Sequence, residues 1–141
     1  MTRRHPQGTE AGYAAVELTL AVGMLLIPIA CLVLTLPTWV ERQTVARTAA
    51  REAARQLATA PTWGAGVTQA DKTVDEITGN NGLNRADVRS GYRGSLTRGG
   101  TVTVQVTIDI PTVNLPLFGP TGGFSYTATH NETVDTYRSR P

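Results

Sequence analysis

The stretch from Leu18 to Trp39, LTLAVGMLLIPIACLVLTLPTW, runs for 22 residues without a charged side chain. As a helix it is about 33 Å long at 1.5 Å per residue, close to the thickness of a bilayer's hydrocarbon core. The core helix of a small soluble domain would be shorter and would show a polar face, and this stretch shows none. The run therefore predicts a transmembrane helix, and the rest of the chain has to be read around it. Pro28 and Pro37 interrupt its backbone bonding, which membrane helices tolerate through a kink or a local adjustment. Gly23 offers a place where a second helix can approach closely.

Glu17 stands immediately before this run. A carboxylate on a helix that otherwise belongs in lipid costs about 2–3 kcal/mol or more, so its presence asks for a compensating partner. Before it lies a short polar leader, MTRRHPQGTEAG, with Arg3, Arg4 and His5. Pro6, Gly8 and Gly12 argue against helix in that leader.

After Trp39 the helix is expected to continue without a break into ERQTVARTAAREAARQLATA, Glu41 to Ala60, an Ala-rich segment of strong helix formers. Val45, Ala49, Ala53 and Leu57 recur every four residues as a narrow apolar stripe. Arg47, Arg51 and Arg55 form a parallel stripe. With Arg42 they could reach anionic headgroups, but a solvated helix face is the simpler and favoured reading. Pro61 and the Gly64–Gly66 pair are expected to end this helix. Val67, Ala70, Val74 and Ile77 then suit a short amphipathic helix with Asp71, Asp75 and Glu76 on its other side, stopped by Gly79-Asn80-Asn81-Gly82.

The remainder reads as strands. Val88, Ser90 and Tyr92 alternate with Arg89, Gly91 and Arg93, and Gly99-Gly100 marks a turn. TVTVQVTIDI places Val102, Val104, Val106, Ile108 and Ile110 on one face and Thr101, Thr103, Gln105, Thr107 and Asp109 on the other, the mark of a half-buried antiparallel strand. PTVNLPLFGPTGG reads as a long loop whose Leu115, Leu117 and Phe118 could form a partner surface or pack across the sheet end. A last strand carries Phe124, Tyr126 and Ala128 on one face, with His130 at the edge of the core. The expected fold is α+β. Residues 1–12 form a leader, 13–40 a transmembrane helix and 41–60 a stalk helix. Residues 61–141 form a small head with about three antiparallel strands.

Chemistry is sparse. The net charge of +2 makes no electrostatic case for nucleic acid. Of thirteen basic residues all but Lys72 are arginine, a bias that points to GC-rich coding. The lone Cys31 can form no intrachain disulfide, and no cysteine or second histidine joins His130 at metal-ligand spacing. There is no Gly-x-Ser-x-Gly elbow and no P-loop. Asp71, Asp75 and Glu76 read as a solvated helix face, and the sequon at Asn131 carries little weight alone. No enzyme, cofactor or small-molecule substrate is expected.

Three readings of the N-terminus compete. A secretory signal peptide has an n-region in Arg3 and Arg4, but the apolar run is too long and no small-residue cleavage site ends it. A lipoprotein signal would place lipid on Cys31, but Pro28 interrupts the motif and LVLTLPTWV stays apolar after the cysteine. The third reading starts from Gly12 and Glu17. The polar leader, the glycine, and an apolar helix with glutamate at its fifth position, counting Tyr13 as the first, resemble a class III prepilin signal cut between Gly12 and Tyr13. Cleavage would create an α-amine with a reference pKa of about 7.7–8.0. That cation and Glu17 lie one turn apart on one helix face.

With AVEL at the start of the helix, AAREAAR after it, and a Val/Thr-alternating strand followed by an apolar Pro-rich segment, the chain resembles the TadE-like family. These are minor pilins or pseudopilins of the tight-adherence (Tad/Flp) pilus apparatus. The resemblance implies maturation by a prepilin peptidase and a register role for Glu17 against the amine of a neighbouring subunit. It also implies partners among other pilins and the inner-membrane platform proteins, and a head outside the cytoplasm. Counted literally, the positive-inside rule sets Arg3 and Arg4 against Arg42, Arg47, Arg51 and Arg55 and puts the head inside. Large following domains translocate largely regardless of charge, and a peptidase reading the leader needs it in the cytoplasm. The alternative is a single-pass anchored binding domain in which Glu17 is incidental.

Overall fold

In the computed structural model of the chain, the described residues are 8–110, 112–115, 119–121 and 123–137. Arg3, Arg4 and His5 of the leader, and Leu117 and Phe118 of the apolar segment, lie outside them. The architecture is α+β. One very long helix, α1 (Gly8–Thr59, 52 residues), is followed by α2 (Trp63–Asn80) and a single 3-10 turn (Arg85–Asp87). Strands β1 (Val88–Gly94), β2 (Thr101–Ile110) and β5 (Phe124–Thr133) form an antiparallel sheet in the order β1-β2-β5.

Helix α1 runs unbroken through Pro28 and Pro37, as the apolar run and the Ala-rich segment together require. It begins earlier than expected, because Gly8 to Gly12 are helical. Adding a turn to an existing helix needs no new nucleus, and a single glycine costs only about 1 kcal/mol against alanine. The two halves of α1 have different surroundings. Leu18, Leu20, Leu25 and Leu34 are exposed to the medium, whereas Val45, Ala49, Ala53 and Leu57 are buried. Ala46, Ala50, Ala54 and Ala58 are buried beside them, so the apolar face is twice the width of the stripe read from the sequence. The reason is that α1 is packed from two directions, by α2 and by β2 and β5. Alanines let both layers approach the helix backbone closely.

Helix α2 starts sooner than its glycines suggested. Thr62 caps it, its hydroxyl accepting from the Ala65 N–H at 3.3 Å. Gly64 and Gly66 therefore lie inside α2 and do not terminate α1, which ends at Thr59 ahead of Pro61. Gly66 is buried against α1, where an added Cβ would stand 2.7 Å from Leu57 Cδ1 and 2.8 Å from Ala60 Cβ. Its role is close helix packing.

Strand β2 follows the expected alternation at every position. Val102, Val104, Val106, Ile108 and Ile110 are buried, and the residues between them are wholly or partly exposed. The wet face is tied by cross-strand pairs. Thr103 donates to Asn131 at 2.8 Å, the hydroxyls of Thr107 and Thr127 meet at 2.8 Å, and Arg89 pairs with Asp109 at 2.6 Å. The segment after β2, expected as a loop, carries two short paired strands, β3 (Val113–Leu115) and β4 (Gly119–Thr121). Three-residue strands are too short to show alternation, and the surrounding prolines and glycines signal only turns. At the opposite end of the sheet, Val134 is buried and exchanges backbone bonds with Gly99 and Gly100, which pins the last strand to the β1–β2 turn.

Asp71, expected on a solvated face, instead fastens α2 to β1. It accepts hydrogen bonds from Ser90 Oγ at 2.6 Å and the Tyr92 hydroxyl at 2.7 Å, with Arg85 at 3.7 Å. Partial burial pushes its carboxyl pKa up, but the two hydroxyl bonds and the Arg85 charge outweigh this and hold it below the ordinary value. Burial, and the carboxylate it bonds to, push the Tyr92 hydroxyl well above its ordinary range.

Two predictions follow from this packing. Gly66→Ala destabilises the head despite alanine's better helix propensity, whereas Gly64→Ala, which meets nothing within 4 Å, leaves stability equal or raises it by up to about 1 kcal/mol. Chemical denaturation of the two variants in detergent should show opposite signs. For Asp71, a lowered folded pKa contributes stability above the unfolded value, and this is lost as pH falls through the folded one. Asp71→Asn therefore lowers the unfolding midpoint at neutral pH, and its deficit against the wild type shrinks as pH drops below 3.8.

Candidate functional site

Gly12, Tyr13 and Glu17 lie on the first turns of α1, at the mouth of its apolar half. Tyr13 and Glu17, four residues apart, share a helix face, and both are exposed. Neither side chain makes a hydrogen bond or ion pair with another described residue of the same chain. Thr19 donates back to the Ala15 carbonyl at 2.8 Å, so its hydroxyl is satisfied within the helix. Beside these, Ala15, Thr19 and Gly23 line a shallow groove on the bare helix surface. Cys31 lies mid-helix, well inside the unbroken α1.

The four arginines of the stalk do not behave as one stripe. Arg42 Nη1 donates to the Asp109 carbonyl at 2.9 Å. Arg47 Nε donates to the Tyr126 hydroxyl at 2.9 Å, and its guanidinium stands 5.5 Å from the centre of that ring. Arg51 and Arg55 are exposed and line shallow grooves between α1 and β5, together with His130, Glu132, Thr133 and Asp135. At 1.5 Å per residue Arg51 and Arg55 stand about 18 and 24 Å beyond Trp39, against a headgroup layer of about 5–8 Å. Arg42 is about 4.5 Å beyond Trp39, within the thickness of such a layer were Trp39 at its inner edge and α1 along the membrane normal.

These contacts also orient the head. Trp39 meets Phe124 edge to face, with ring centres 5.4 Å apart. Arg47 meets Tyr126 two residues further along β5, and Arg55 and Thr59 flank Thr133 and Asp135 at its end. Strand β5 therefore climbs alongside α1 in the same direction, and the paired strand ends Ile110 and Phe124 lie at the level of Trp39. The sequence held no signal for these pairings, because the partners lie about 80 residues apart.

Asp71 and Asp75 are engaged by Arg85, and Glu76 lies 3.8 Å from Lys72. His130 Nε2 stands 3.3 Å from Glu132. Among the described residues, no three His, Cys, Asp or Glu side chains converge as a metal site. No protein-family model, no curated protein and no solved structure matches the chain.

Proposed function

We propose that this chain is a TadE-like pseudopilin, a structural component of a Tad-type pilus or related secretion apparatus, matured by a prepilin peptidase. The observation that carries the reading is the placing of Gly12 and Glu17 at the mouth of one continuous helix. That helix is long and apolar enough to cross a membrane and leads into a small α+β head. The arrangement is consistent with pilin-like topology.

The chemistry of the proposal rests on Glu17. Cleavage after Gly12 gives Tyr13 a free α-amine one turn before the carboxylate. The pair offsets the cost of a charge beside lipid, within one subunit or between neighbours, and between neighbours it sets the register of assembly. The peptidase has to open the helix at Gly12–Tyr13, and glycine lowers the cost of unwinding there by about 1 kcal/mol against alanine. The head lies outside the cytoplasm, and other pilins and the platform proteins are the partners. The protein's role is structural and uses no cofactor.

Mass spectrometry of the mature chain tests this directly. A mass beginning at Tyr13 is expected, and one beginning at Met1, or at a lipidated Cys31, rejects the proposal. Glu17→Ala is expected to leave membrane insertion and processing intact while reducing assembly and co-purification of partner subunits. Protease added to spheroplasts should digest the head, and a protected head would place it on the wrong side for a pilin.

A further inference from the structure

We propose that the β2–β5 end of the head is a second membrane contact, seated in the headgroup and upper acyl region of the bilayer that α1 crosses. The inference rests on α1 spanning a membrane, as in the reading above, and on nothing about processing or assembly.

The level of the bilayer surface is set by the chain itself. The uncharged run ends at Val40, next to Trp39, and Glu41 is the first charge beyond it. Tryptophan at that place is the residue type that settles at a membrane interface, with an apolar body and one polar N–H. Phe124 is in ring contact with Trp39 and remains 43% exposed. A side chain touching the interfacial tryptophan and still open to its surroundings is at the interface too. Arg42, one turn beyond, reaches across to the Asp109 carbonyl, next to Ile110. Both strand ends, Ile110 and Phe124, are thus held at the depth where α1 leaves the lipid.

The chemistry of this end suits that depth. Between Asp109 and His130 the sequence carries no charged or imidazole side chain. Two groups that would be costly in an apolar boundary are already tied. The Asp109 carboxylate is paired with Arg89, and its carbonyl is occupied by Arg42. The strands β3 and β4 bond to each other, which satisfies part of the backbone that would otherwise meet lipid unpaired. Strand β3 also lies alongside α1. The opposite end of the head, with the β1–β2 turn and Arg98, is tied to the end of β5 beside Thr59, about 30 Å further along the helix axis. The start of β1, where Val88 pairs with Ile108, brings Arg85, Asp87 and Arg89 to this same end, and charges there suit contact with headgroups. Continuity with the span selects lipid as the occupant of this surface.

The test uses the full chain carrying Cys31→Ala, reconstituted in phosphatidylcholine–phosphatidylglycerol vesicles at about one copy per vesicle. Single cysteines are placed by Thr112→Cys, Arg98→Cys or Ile29→Cys and labelled with an environment-sensitive fluorophore. Thr112 is exposed and adjoins β3. Nitroxide lipids labelled at the headgroup are expected to quench the probe at 112 and shift its emission to the blue, and to leave the probe at 98 unchanged. Nitroxides deep in the acyl chains should quench the probe at 29. Phe124→Asp should reduce quenching at 112 while circular dichroism and the response at 29 stay as in the parent. Equal, weak quenching at 112 and 98 overturns the proposal while leaving the pseudopilin reading intact. A blue shift at 112 without nitroxide quenching overturns it in favour of a protein contact. Loss of quenching at 29 removes the span, and both readings fall with it.

Discussion

One helix has two halves of opposite surface character, and the rest of the molecule depends on where it changes from one to the other. From Leu18 to Trp39, α1 exposes large apolar side chains all round, over a length sufficient to cross a membrane. From Val45 to Ala58 it offers mostly alanine, with Leu57 as its bulkiest member, and a protein core closes over that face. The change is one of side-chain size as much as of polarity. Lipid fills any shape, so a half that is apolar and long enough to cross a membrane can be bulky and irregular. The second half has α2 on one side and the sheet on the other, and both come close only because the helix surface between them is small. Gly66 makes the same accommodation from the side of α2.

A continuous helix also transmits position. With no break between the apolar half and the core half, the head is fixed in height and rotation relative to the span. The contacts of Trp39, Arg42 and Arg47 with Phe124, Asp109 and Tyr126 rise in order along α1 and lock β5 and β2 to it. A displacement of α1 would be passed to the sheet as a rigid movement, and a pilin-like subunit needs this if the register of its helix is to govern the arrangement of its heads. The same rigidity places the Ile110–Phe124 end of the sheet at the level of Trp39.

The elements were legible where burial falls on one face with a fixed period. Strand β2 is the clearest case. It is the central strand, one face packs on α1 and the other is wet, so its alternation runs through ten residues without a fault. The apolar length of α1 was equally plain. Reading failed where a local signal had a non-local use. Gly64 and Gly66 read as helix terminators, but Gly66 serves contact with Leu57. Asp71 read as solvated, but its partners Ser90 and Tyr92 come from a strand about twenty residues later. The β3–β4 pair was hidden among prolines and glycines that look the same in any loop. Of the candidate site, the Gly12–Tyr13–Glu17 spacing was visible because it lies within two turns of one helix. The separate fates of the four arginines were not.

The sequence by itself determined a membrane-length helix, its continuation as an alanine-rich stalk, and an antiparallel sheet with one buried face. These follow from side-chain size and period, which are properties of neighbouring residues. The tertiary structure alone decided that β5 climbs parallel to α1, that Arg42 and Arg47 bind the sheet, and that the paired strand ends Ile110 and Phe124 come down beside Trp39. Those outcomes depend on which of several similar apolar faces meet, and in what direction, and that choice is made by packing between residues far apart in the chain.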